Sequence, residues 1–90
     1  MDIVWDPDKA LSNYQKHGVR FSEAESVLYD SLALTIEDAE SEGEQRFVSV
    51  GADLFGRILV VVYTYRSEQI RLISARKAEK NEIRSYEEGI

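Results

Sequence analysis

Residues 57–66 read RILVVVYTYR, and the six residues from Ile58 to Tyr63 are all apolar. So short a run, rich in β-branched residues, reads as a strand that is apolar on both faces. Such a strand belongs in the middle of a sheet. The tight link "RSEQ" joins it to a further strand, "IRLISAR". Upstream, "LALTIED" places Leu32, Leu34 and Ile36 on one face, and "RFVSVG" places Arg46, Val48 and Val50 on one face. The acidic turn "AESEGE" and the turn "ADLFG" separate these segments. Because every connection is short, the four strands are expected to form an antiparallel meander.

Helical signals flank the strands. Asp6 suits an N-cap, Pro7 the first helical position and Asp8 the positive end of the dipole. Ala10, Leu11 and Tyr14 recur at helical spacing, and Gly18 suits a left-handed stop. Ser22 and Glu25 have the spacing of a capping box, which predicts a second short helix ending near Asp30. The tail "KAEKNEIRSYEEGI" is helical by composition, with Ala75, Glu79, Ile83 and Tyr86 along one side. The expected fold class is α+β: two N-terminal helices, a four-stranded antiparallel sheet and a C-terminal helix, in the order α-α-β-β-β-β-α. The helices are expected on one face of the sheet. Ninety residues suit a single domain, 1–90.

Composition removes several function classes. Without cysteine there is neither a disulfide framework nor a thiolate metal site, and one histidine makes a zinc site improbable. No apolar run spans a bilayer and the first residues lack a signal-peptide pattern, so a cytoplasmic protein without cofactor or metal is expected. The net charge of −6 conceals an asymmetry. Residues 1–56 hold 4 Lys/Arg and 12 Asp/Glu, whereas residues 57–86 hold 7 and 3. This basic third reads either as solvated surface or as a local phosphate-binding patch on an acidic body.

No glycine-rich phosphate loop and no serine elbow is present. What remains is a basic and aromatic set on the last two strands. Tyr63 and Tyr65 share a face; strict alternation puts Arg71 with Ile73 and sets Leu72, Ser74 and Arg76 opposite. Arginine's planar fork can grip two phosphate oxygens at once. Metal-free RNA cleavage also needs proton transfer, for which His17 or Glu44 is a candidate base. Lys16 and His17 equally suit the bland role of cations at a helix C-terminus.

"WDPDKALSNYQKHGVRFSEAESVLYD", then "EQRFVSVG", "GRILVVVYTYR" and "IRLISARKAEKNEIRSYEEG", closely resembles the BrnT family of bacterial type II toxin–antitoxin systems. The resemblance implies a RelE-like fold and an endoribonuclease that blocks translation. It also implies a BrnA-type antitoxin partner that carries the DNA-binding part of an autorepressing complex. Homodimers, or heterotetramers with the antitoxin, fit that picture. Carried over by position, the catalytic residues are Lys16, His17, Arg46, Arg71 and Arg76; Trp5, Asp6 and Lys9 match a motif that capping and packing also explain. The second reading is a toxin-like scaffold that binds the antitoxin without cutting RNA.

Overall fold

The computed structural model describes residues 2–39 and 41–89; Met1, Ile90 and Glu40, the last within the predicted acidic turn, lie outside them. The chain runs β1 (Asp2–Val4), α1 (Pro7–His17), α2 (Phe21–Ala24), a 3₁₀ helix (Glu25–Tyr29), β2 (Leu34–Glu37), β3 (Phe47–Ala52), β4 (Ile58–Arg66), β5 (Gln69–Lys77) and α3 (Lys80–Glu88). Among the described residues, five strands form one mixed sheet in the order β1-β5-β4-β3-β2. β4 is central, as its two apolar faces require.

The expected α-α-β-β-β-β-α order and four-stranded antiparallel sheet are therefore corrected. A strand precedes the first helix, and it lies parallel to β5 with Ile3 opposite Ile70. Three residues are too few to display an alternating pattern, and their pairing closes across most of the chain. The second helix also differs. Its N-cap is Arg20 rather than Ser22, and Glu23 Oε1 accepts from the Arg20 N–H at 3.2 Å. Beginning two residues earlier puts Phe21 at the first helical position and into the core, where it is 1% exposed. After four residues the segment tightens into the 3₁₀ turn that brings Val27 down onto the sheet.

The helix starting at Pro7 forms as expected, with Asp6 Oδ1 accepting from the Asp8 N–H and Gly18 stopping it at φ 71°. α1 lies beside β5, where β1 no longer covers the strand's edge. There Asn13 acts as a surrogate strand. Its Nδ2 donates to the Ala75 carbonyl at 2.8 Å, and its Oδ1 accepts from the Ala75 N–H at 3.0 Å. Nδ2 also donates to the Val19 carbonyl, so one buried side chain satisfies three backbone groups.

The main core lies between the sheet and the α1–α2 layer: Val19, Phe21, Ala24 and Val27 meet Leu59, Val61, Tyr63, Leu72 and Ala75. α3 lies on the other face, against β3, with its Glu82 on Arg76 and its Tyr86 on Asp30. Helices thus cover both faces, not one as expected, and α3 leaves part of its face open.

Candidate active site

The open face is set by strand register. Val60 pairs with Arg76 and Val62 with Ser74, but Tyr63 pairs with Leu72, so Ile73 is an extra residue on β5. This bulge resets the alternation. Arg71, opposite Thr64, therefore returns to the face of Ser74 and Arg76, although strict alternation would have put it across the sheet. Arg46 precedes β3 in phase with Val48 and Val50 and joins the same face, as does Arg66. Tyr63 and Tyr65 do share a face, but it is the opposite one, where they pack edge-on to each other and around Phe47.

Arg46 and Arg71 flank Thr64 in one row across the sheet, about 10 Å apart at the backbone, two strand spacings. Thr64 donates its hydroxyl hydrogen to the Gln45 carbonyl, fixing the loop that carries Arg46. Both guanidiniums are half-buried. In each, the Nε is buried and has no hydrogen-bond partner among the described residues. A buried donor left unpaired is costly. Arg57 Nη2 also lacks a hydrogen bond of good geometry, but it lies in ionic contact with Asp53 and Glu23.

Sequence reasoning left Arg66 out of this group. Its Nε donates to Glu44 Oε2 at 2.8 Å. That hydrogen bond, with the charges of Arg66, Arg46 and Arg71, holds the Glu44 carboxyl below its ordinary value. Four charged groups thus meet at the hairpin end of the sheet: three cations and one anion. The signal for Arg66 was its spacing, two residues beyond Thr64 on the same strand.

The other expected residues lie apart from this cluster. Arg76 is gripped by α3 through a two-pronged ion pair, Nη1 to Glu82 Oε1 and Nη2 to Glu82 Oε2, both 2.9 Å. The pair raises the Arg76 pKa and lowers that of Glu82. Lys16 and His17, at the C-terminus of α1, line a shallow depression of about 210 Å³ with Lys9, Ser12, Asn13, Ile73 and Ser74. They reach β5 in the interval between Arg71 and Arg76. Among the described residues, no group of three or more His, Asp or Glu side chains could hold a metal ion, and no helix is long and apolar enough to cross a membrane.

Four arginines thus share one sheet face, two of them paired with carboxylates and two, Arg46 and Arg71, with an unpartnered Nε among the described residues. Clustered guanidiniums of this kind suit anionic groups such as phosphate. The family described as "Ribonuclease toxin, BrnT, of type II toxin-antitoxin system" matches residues 5–82, so this chain belongs to the BrnT family. Its fold is similar to the crystal structure of the Brucella abortus ribonuclease toxin BrnT. The TM-score is 0.68 at 28% identity, covering 89% of this chain and 99% of that one. None of the curated proteins matches the chain.

Proposed function

We propose that the chain is an endoribonuclease that cuts RNA without a metal ion, blocks translation in the cytoplasm and is neutralised by a BrnA-type antitoxin. The ribose 2′-oxygen attacks the adjacent phosphorus, and the bond to the departing 5′-oxygen breaks. The 2′-hydroxyl proton passes to a base, and the departing oxygen takes a proton from an acid. The products carry a 2′,3′-cyclic phosphate and a 5′-hydroxyl. Arg46 and Arg71 hold the scissile phosphate, Arg76 and Lys16 hold flanking phosphates, and His17 carries a proton.

The observation that supports this most strongly is the pair of partnerless Nε donors on either side of Thr64. Fixed cations aimed at developing negative charge are usually the largest catalytic term. Glu44 is ill-suited as the base, because a carboxyl held below its ordinary value takes protons poorly at neutral pH. His17 is the candidate that remains, reaching β5 beside Ser74 although apart from Arg46 and Arg71.

One observation favours the scaffold reading: Arg66 and Arg76 already have carboxylate partners. End-labelled RNA incubated with purified protein in excess chelator separates the two. Cleavage leaving cyclic phosphate ends, and lost in Arg71→Ala, is expected. An unaltered chain that leaves the RNA whole overturns the enzymatic reading in favour of the scaffold.

A further inference from the structure

We propose that the outer edge of β2 and the apolar groove beside it dock the antitoxin, which adds an extended, basic, amphipathic segment to the sheet. The inference rests on the reading that this chain has an antitoxin partner, and it assigns that partner a surface. β2 ends the sheet order, so among the described residues no strand pairs with its outer edge. An open edge is a ready template for another backbone. Alternate side chains of such a segment need pockets, and one lies alongside. Leu34, Ile36, Val48 and Val50 line a groove of about 310 Å³, with Asn81, Glu82 and Ser85 of α3 on its other side.

The groove face of β2 is apolar, whereas its opposite face and the loop that follows are acidic. Ile36 is 67% exposed and Leu32 is 70% exposed, unusual for large aliphatic side chains beside a groove. Glu37 ends the strand on the face opposite the groove, and Asp38 and Glu42 follow in the next loop; Glu82 in the groove wall is already neutralised by Arg76. This distribution selects the occupant. A second copy would bring the same carboxylates against these, and like charges in contact repel. A segment alternating apolar residues with lysine or arginine puts the apolar ones in the groove and the cations on the opposite face, beside Glu37 and away from Arg46 and Arg76.

Docking here also accounts for inhibition. Val48 and Val50 continue the row of β3 side chains that starts at Arg46, and Glu82 is the partner of Arg76. A chain laid in the groove therefore borders the cationic face at both ends and obstructs RNA.

The test uses the full chain and a purified BrnA-type antitoxin, with binding followed by calorimetry. Ile36→Glu puts a charge into the groove and is expected to weaken binding by about tenfold or more. Glu37→Lys is exposed in the free protein, so it tests the same edge even if the first variant proves unstable. It is expected to weaken binding severalfold, more so at low salt. RNA cleavage by both variants should stay unchanged, since neither residue belongs to the phosphate-holding set. Wild-type affinity in both variants overturns the inference while leaving the ribonuclease reading intact. Failure of the unaltered chain to bind the antitoxin overturns the partner reading, and this inference with it.

Discussion

Arg57 and Arg71 are both half-buried arginines on or beside neighbouring central strands, yet they live in opposite circumstances. Arg57 is locked in place. Its Nε donates to Asp53 Oδ2 at 2.8 Å, and its Nη2 makes ionic contacts with Asp53 at 2.7 Å and Glu23 at 3.3 Å. Asp53 is itself inaccessible and accepts the backbone N–H groups of Phe55 and Arg57. Hydrogen bonding to Asp53 raises the Arg57 pKa above its ordinary value. Arg71 has no such partner at Nε. One guanidinium closes a turn and ties α2 to the sheet; the other lies on the open face, where the proposed function gives it a phosphate to hold.

The comparison breaks most visibly under substitution. Arg71→Ala should lower RNA cleavage by about 10²–10³-fold, the usual cost of one charge-stabilising donor, with little loss of stability. Equal cleavage by mutant and parent would place the site elsewhere. Asp53→Ala should do the reverse, costing about 2–3 kcal/mol in urea unfolding because it leaves the half-buried Arg57 with Glu23 alone and two turn N–H groups unpaired. Cleavage by the surviving folded fraction should be unchanged. Asn13→Ala should cost about 2 kcal/mol by orphaning Ala75 and Val19 backbone groups.

How much of this the sequence displayed depended on whether the cause was local. β4 was legible because a strand buried on both faces must be apolar throughout. The first helix was legible because Asp6, Pro7 and Gly18 each act within one turn. β1 was not, since three residues acquire strand character only by pairing with Gln69–Arg71, distant in sequence. The Ser22 capping box had the right spacing, but burying Phe21 moved the helix start. The Ile73 bulge left a trace: apolar positions run Ile70, Leu72 and then Ile73, Ala75, a slip of phase that strict alternation cannot fit. That slip decides whether Arg71 and Arg76 share a face, so the site depended on a detail the overall pattern conceals. Arg46 and Arg71 were named from sequence, whereas Arg66 and its contact with Glu44 required the fold.

Smaller effects sharpen the contrast between paired and unpaired groups. The Asp30 carboxyl is held below its ordinary value by the Ala52 N–H and then the Tyr86 hydroxyl, and Glu82 by Arg76. Groups lowered in the folded state lend stability that is complete above the ordinary carboxylate value of about 4 and disappears as pH falls through the lowered values. Urea midpoints should therefore drop between pH 5 and more acidic solution, and Asp30→Asn should flatten that drop. Ser67 has φ 54° at the hairpin end. Ser67→Gly should stabilise by about 0.5–1 kcal/mol, read as a rise in Tm.

The most direct test observes the Nε–H groups themselves. In ¹⁵N-labelled protein titrated with RNA carrying 2′-O-methyl groups, which binds but cannot be cut, the Arg46 and Arg71 Nε–H resonances should shift together and saturate at one concentration. The Arg57 resonance should stay where it is. Shifts at Arg57, or at Lys16 and His17 alone with Arg46 and Arg71 unmoved, would contradict the assignment of the phosphate grip to the open face.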